Sequence, residues 1–228
     1  MESIRTRSLV AHRPQKRRGF TLVELLVSLS IVFLISAIAI TGQSTFNQGI
    51  LLNDTAYSLA LSTRQAQSLG LSSRKFAGVQ NGGYGIYVTN NAPINSYIIF
   101  ADINSVPSGP SWCTAVASST PESKSGNCMY DGLGETFQTY TLTRGFTISD
   151  FCGKTPTGLK CASTDDVASV HALFLRPNTS SVITGVSPGG TKIAFSCLQF
   201  SLRAPGGTAV QTVRVTQVGE ISVGQICS

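Results

Sequence analysis

Three textures of apolar and polar residues follow one another along the chain. From Phe20 to Ile40 the sequence is apolar almost without interruption, mostly Leu, Ile, Val, Ala and Phe. At about 1.5 Å per residue such a helix matches the hydrocarbon thickness of a bilayer, so the run predicts a transmembrane helix over 20–41. No second run of this length exists, which predicts a single pass. Beyond Gly42, "FNQGILLNDTAYSLALSTRQAQSLGLSSR" has no Pro and places Ile50, Tyr57, Leu61 and Gln65 at helical spacing. Leu52, Leu59, Ala66 and Leu69 fill an adjacent stripe. The pattern predicts an amphipathic continuation over 42–72, its apolar stripe set against a sheet. Its Ser and Thr content lowers helix propensity, so packing must hold it. Arg64, Arg74 and Lys75 lie toward the end where the helix dipole favours cations.

After Lys75 the texture changes to short β-rich runs broken by Gly, Pro, Asn and Ser. "FAGVQ", "YGIYVT", "SYIIFAD", "ETFQTYTL", "FTISD", "VHALFLR", "SVITGV", "TKIAFSCLQF", "AVQTVRVTQV" and "GEISVGQ" predict strands, with "PGGT" and "APGG" as turns. No helical pattern alternates with them, which favours an antiparallel arrangement over βαβ units. The expected architecture is therefore α+β: a long N-terminal transmembrane helix packed on an antiparallel β-sheet or small β-sandwich, with a β-rich head over 73–228. The segment from Asn104 to Asp131 is a long Ser-, Pro- and Gly-rich loop.

Charge changes this picture less than its total suggests. The net charge is +6, but Arg5, Arg7, Arg13, Lys16, Arg17 and Arg18 stand against Glu2 alone before residue 20. The remainder holds 11 basic and 10 acidic residues, a nearly neutral body. Basic residues before the apolar run place the amino terminus in the cytoplasm and everything after Thr41 outside. All six cysteines follow Trp112 and none forms a C-x-x-C pair. That favours disulfides in an oxidising compartment over zinc or a redox dithiol. Sequence-local pairing, Cys113 with Cys128, Cys152 with Cys161 and Cys197 with Cys227, is the simplest of 15 connectivities.

The fifth residue of the apolar run is Glu24, a carboxylate that costs a few kcal/mol in a membrane unless it finds a partner. A Sec-type signal peptide is the obvious rival, but the apolar run is too long and Ala37-Ile38-Ala39 is a weak cleavage site. A cut between Gly19 and Phe20 would create an α-amino group one helical turn from Glu24, or from a neighbouring copy's Glu24. Glycine there offers a protease an unhindered backbone. "RRGFTLVELLVSLSIVFL" closely resembles the leader and first helix of type IV prepilins and type II secretion pseudopilins. The resemblance implies a basic leader over 1–19 that a prepilin peptidase removes after Gly19. It implies N-methylation of Phe20, and a role for Glu24 in pairing with the adjacent subunit's amino terminus during assembly. Other implied partners are pilins or pseudopilins, through the N-terminal helix, and an inner-membrane assembly platform. The implied location is a bacterial inner membrane, single-pass with the head periplasmic, and then a pilus or pseudopilus. Many members carry a proline about 22 residues past the cut; here Thr41-Gly42 stands there, so the helix bends less or at Gly42. "STRQAQSLGLSSRKFAGVQ", "YGIYV", "YIIFADIN" and "VRVTQVGEISV" follow in the order of the GspH/FimT-type minor pseudopilins, so the resemblance narrows to a minor subunit.

Other chemistry is weaker. "GVSPG" at 185–189 imitates a nucleophile elbow, but Pro188 has no N–H to donate to an oxyanion, and a hairpin turn accounts for Ser187. His12 and His171 are the only histidines. His171 lies in an apolar run, where a core role is expected. Asp165-Asp166 and Asp102-Ile103-Asn104 lack calcium-loop spacing. No catalytic residue, metal or cofactor is expected. Nucleic acid binding is disfavoured, because Glu220 and Ser222 stand where DNA-binding relatives of this class carry arginines, and only Arg203, Arg214 and Lys192 offer a patch. Two alternatives stay open: a pilus-tip adhesin or DNA receptor using the 104–131 loop, and a signal-anchored protein that joins no filament.

Overall fold

A single helix, α1, runs from Leu22 to Leu71. The computed structural model describes residues 19–72, 74–78, 82–104, 109–113, 126–132, 134–177 and 179–228, with the backbone alone of residues 40–46. The expected leader, Gly19 excepted, lies outside the described residues, as do 105–108 and 114–125 of the long loop. The chain divides into two units, Met1–Ser44 and Thr45–Ser228.

In the first unit the described residues of α1 are exposed on every side through Ala39. Leu22–Ala39 is long and apolar enough to cross a membrane. Apolar side chains all round a helix are what a lipid environment requires. Ser28 and Ser30 donate their hydroxyls to Glu24 O (2.7 Å) and Leu26 O (2.9 Å), which satisfies these polar groups inside the helix itself.

In the second unit α1 buries Leu52, Ala56, Leu59, Ala60, Thr63, Ala66 and Gly70, a stripe at helical spacing. This settles which of the two apolar stripes packs. Ile50, Tyr57 and Leu61 are each more than half exposed, and Gln65 is exposed beside them. The reason is size: three alanines and a glycine let the helix backbone approach the strands, and a Cβ at Gly70 would overlap the Phe174 carbonyl.

Eleven strands follow among the described residues. β1 (Gly83–Thr89), β2 (Ser96–Asp102), β3 (Thr136–Thr141), β4 (Thr147–Thr155), β5 (Gly158–Cys161) and β6 (Ser169–Phe174) come first. β7 (Ser181–Val186), β8 (Lys192–Phe195), β9 (Cys197–Arg203), β10 (Val210–Thr216) and β11 (Ile221–Val223) complete the set. Every pairing is antiparallel, in a six-stranded sheet ordered β3-β2-β1-β6-β7-β8 and a five-stranded sheet ordered β11-β10-β9-β4-β5. This is the α+β, pilin-like class, with two sheets rather than one.

One core joins the helix to both sheets. Ile86, Ile99, Ala172 and Ile183 of the first sheet meet Phe151, Leu198, Phe200 and Val213 of the second around Leu59 and Ala60. Because successive strand residues point to opposite faces, Phe100, Leu173 and Leu175 lie on the other side of the first sheet. There they form a second cluster beneath Cys113, Cys128 and Tyr130.

The strand pattern needs three corrections. "TKIAFSCLQF" is not one strand: Ser196 separates β8 from β9, which lie in different sheets. The corner is held by Ser196 N–H to Lys154 O and Gln217 N–H to Ser196 O, both 2.9 Å. The described part of "FAGVQ", Phe76 to Gly78, is not a strand either; Val79 and Gln80 lie outside the described residues. Phe76 makes an isolated bridge, and Ala77 and Gly78 turn with φ of 48° and 79°. β5 was not expected, since its four residues show no alternation.

The expected alignment of cations with the helix end also fails. No basic residue occupies the last turn of α1. Arg64 instead reaches Ile221 O at 3.2 Å, and Arg74 lies over the Phe137 ring at 5.6 Å.

Leu59→Ala removes a fully buried side chain from the shared core and should cost about 2–5 kcal/mol. Leu61→Ala, two residues away but exposed, should change stability by less than about 0.5 kcal/mol. Urea unfolding of the full chain in micelles compares them; equal losses would contradict this assignment of faces.

Candidate functional site

Gly19 and Phe20 precede the first turn of α1 and are exposed. Thr21 caps that turn: its Oγ1 accepts the Glu24 N–H at 3.3 Å, and its carbonyl accepts Leu25 N–H at 3.1 Å. Thr21-Leu22-Val23-Glu24 therefore has the T-x-x-E spacing of a capping box, which sets Glu24 at the third helical position. A carboxylate in the first turn is favoured by the positive end of the helix dipole. Glu24 is exposed, and among the described residues no cation lies in ion-pair contact with it. Thr21 was legible in the sequence from this spacing, yet the apolar run around it drew the reading to Glu24 alone.

In the second unit, Cys113 bonds Cys128, Cys152 bonds Cys161 across β4 and β5, and Cys197 bonds Cys227. The first closes a span of 15 residues and contributes about 3 kcal/mol by restricting the unfolded chain. The third fastens the residues after β11 to the start of β9, with Cys227 N–H donating to Gln199 Oε1 at 2.8 Å.

The chain on both sides of the Cys113–Cys128 bond is also held by buried carboxylates. Asp102, at the end of β2, accepts Asn127 N–H at 2.9 Å and Cys128 N–H at 2.8 Å. Glu135 accepts Ile103 and Asn104 N–H at 3.0 Å on one oxygen and Asp131 N–H at 3.1 Å on the other. Both side chains are fully buried. A Cβ at Gly126 would overlap the Asp102 carboxyl group, so glycine is required there. Burial pushes Asp102 and Glu135 up to about 7, against the lowering effect of the N–H donors. The nearby Asp131 carboxylate adds to the rise of both. His171 lies beneath this segment and accepts Tyr130 N–H on Nδ1 at 2.9 Å. Burial lowers its pKa to about 3, so it is a neutral core histidine.

The remaining motifs are occupied structurally. Ser187 forms the β7–β8 turn, exchanging main-chain hydrogen bonds with Thr191 and Gly190. Glu220 pairs with Arg214 at 2.7 Å, which takes one arginine out of the basic patch. Asp166 meets Lys160 at 4.0 Å. Asp150, Cys152 and Cys161 bring ligand atoms within 4.8 Å of one another, but both sulfurs are consumed by their own bond.

Among the described residues there is thus one helix long and apolar enough to cross a membrane, with a capped start, and, in the second unit, a disulfide-bonded β-rich fold. Residues 14–40 match the family described as the prokaryotic N-terminal methylation motif. No curated protein and no solved structure matches the chain. The matched motif is of the prepilin type. It points to a pilin or pseudopilin processed by prepilin peptidase, to a structural subunit that assembles with other pilins, and to membrane anchoring.

The buried groups fix the sign of the pH dependence. Between pH 6 and 5, native Asp102 and Glu135 hold protons that their unfolded counterparts release, which stabilises the fold as pH falls. Unfolded His171 binds a proton that the native ring refuses, which opposes this. Two protons against one leave a net gain of about 1.4 kcal/mol per pH unit on acidification. In Asp102→Asn the balance is one against one, and the slope should vanish. Urea midpoints at pH 6.0, 5.5 and 5.0 measure both; a native protein that weakens steadily over this window would contradict the assignment.

Proposed function

We propose that this chain is a minor pilin or pseudopilin of the GspH/FimT type. Its leader is removed after Gly19 by prepilin peptidase, and the new Phe20 terminus is methylated. The mature subunit then enters the initiation or tip complex of a type II secretion pseudopilus or a type IV pilus. The observation that carries the reading is the prepilin-type match over residues 14–40, which spans the cut and Glu24. In the assembled state the Glu24 carboxylate pairs with the α-amino group of the adjacent subunit. That pairing explains how a charge survives in an apolar run: it is neutralised by a cation that exists only after cleavage. Topology follows the charge asymmetry, with the amino terminus cytoplasmic and residues 45–228 periplasmic until extrusion.

Co-expression with prepilin peptidase should shorten the chain by about 2 kDa and leave an N-methylated Phe20, read by intact mass and terminal sequencing. Gly19→Val should block the cut. A chain of unchanged mass beside an active peptidase would end the family reading. Glu24→Ala should leave processing intact and lower recovery in sheared filaments at least about tenfold, a loss of 1.4 kcal/mol or more. Recovery equal to wild type would remove Glu24 from assembly.

A further inference from the structure

Between α1 and the turn that joins β3 to β4 lies a polar cavity of about 350 Å³, lined by Leu51, Asp54, Thr55, Thr143, Arg144 and Phe146. That volume suits a small ligand. The turn that forms one wall is fixed. Phe146 N–H closes it onto Thr143 O at 3.2 Å, and on either side Leu142 N–H donates to Asn95 O at 2.7 Å and Ile148 N–H to Ile94 O at 2.8 Å. Phe146 is buried in the common core. The two central residues, Arg144 and Gly145, have φ of 58° and 75°, a pair of left-handed conformations that Asn-Gly or Gly-Gly adopts with least strain. Arginine gains nothing from that backbone, so its place there is explained by the side chain it offers.

The lining divides by chemistry. Asp54 and Thr55, on α1, form an acceptor end. Thr55 gives its hydroxyl proton to Leu51 O at 2.7 Å, so toward the cavity its oxygen can only accept, and the Asp54 carboxylate is an acceptor too. Thr143 and Arg144, on the turn, form a donor end with a hydroxyl and a guanidinium fork. The two charged residues are exposed and do not pair with each other. Among the described residues neither Asp54 nor Arg144 makes an ion pair or a side-chain hydrogen bond. Leu51 and Phe146 add apolar surface to the same cavity.

A ligand that satisfies both ends carries a cation with hydrogens to donate and an anion with several oxygens, joined by a short apolar linker. A primary ammonium meets the first need, whereas a quaternary ammonium has no N–H to give. Phosphate meets the second, because an arginine fork binds two of its oxygens at once. Phosphate is also the anion of a bilayer surface, and the site stands on the helix that carries the apolar span Leu22–Ala39. We propose that this cavity binds a zwitterion of the phosphoethanolamine class, its ammonium on Asp54 and Thr55 and its phosphate on Arg144 and Thr143. The same chemistry occurs in a free compound and in a phospholipid headgroup. The choice of phosphate over carboxylate rests on the membrane-anchor reading; the two-ended recognition of a zwitterion uses only residues of the second unit.

Titration calorimetry on the full chain in maltoside micelles, which carry neither phosphate nor amine, tests this. Phosphoethanolamine should bind saturably, and about tenfold more tightly than either phosphocholine or inorganic phosphate. Asp54→Asn should abolish the preference over inorganic phosphate by weakening the ammonium end alone. Arg144→Gly should weaken phosphoethanolamine and inorganic phosphate together, about tenfold. Glycine suits the positive φ at that position, so this variant should melt no lower than wild type and its loss of binding is not a loss of fold. Doping the micelles with phosphatidylethanolamine, against phosphatidylcholine as control, separates the sources. Displacement of the soluble compound assigns the site to a lipid headgroup, and undiminished binding assigns it to the free compound. No saturation below about 10 mM, phosphocholine binding as tightly as phosphoethanolamine, or wild-type affinity in both variants would overturn the proposal. None of these readouts involves processing or filaments, so the proposal and the filament reading fail separately.

Discussion

The small-residue face of α1 is the contact on which the rest of the second unit depends. The two sheets are separate hydrogen-bonded structures, and their common core is assembled around Leu52, Ala56, Leu59, Ala60 and Ala66. Polar contacts then fix the helix in place on both flanks. Ser62 meets Tyr97 OH at 2.9 Å on the β2 side, while Gln67 donates to Thr179 O at 3.1 Å and Gly219 O at 2.9 Å on the other. Burial pushes the Tyr97 hydroxyl up to about 12, so it stays protonated for that bond. A helix rich in Ser and Thr is a poor autonomous helix. Here Ser62, Thr55 and Thr63 spend their hydroxyls on carbonyls four residues back, and packing supplies the stability that propensity lacks.

This arrangement explains what the sequence could and could not reveal. The length of the apolar run and the absence of proline gave the helix, and strand texture gave the α+β class. The choice of stripe was not legible. Ile50, Tyr57 and Leu61 are as apolar as the residues that pack, and periodicity records spacing, not the distance a backbone must approach. Size decided it, through the alanines and Gly70. The sheet switch at Ser196 was hidden because β8 and β9 together form an unbroken β-rich run; only the hydrogen bonds around Ser196 mark the corner. Asp102 and Glu135 gave no warning of burial, since carboxylates at strand ends are ordinarily solvated. Their one trace is the cluster Gly126, Gly132 and Gly134, which signals turns and close approaches without saying to what.

The first sheet is covered on both faces by different means. On one side the helix supplies apolar area. On the other, a segment with little regular structure is fixed by a disulfide and by five N–H donors converging on two carboxylates. Its described residues between Ile103 and Glu135 belong to no strand, so their buried N–H groups need acceptors in place of a ladder. Carboxylates serve well because each can accept several bonds, but burial resists their charge, and protonation near neutral pH is the outcome. Order there comes from polar satisfaction and a covalent bond together.

Glu24 shows how one residue can answer two constraints in sequence. In the precursor, the T-x-x-E spacing places its carboxylate at the positive end of α1, a favourable position for a negative charge. After the proposed cut, Phe20 carries an α-amino group one residue before the cap. Two sources of positive potential, the dipole and the amino group, then meet a single carboxylate. Within one subunit the amino group and Glu24 both belong to the same exposed helix end, where water competes with their pairing. Between neighbouring helices in lipid, water is excluded and an unpaired charge is costly, so the pair becomes worth forming only on assembly. On this reading the cap holds the acid in register beforehand, and the membrane turns a weak local interaction into one that discriminates assembled from free subunits.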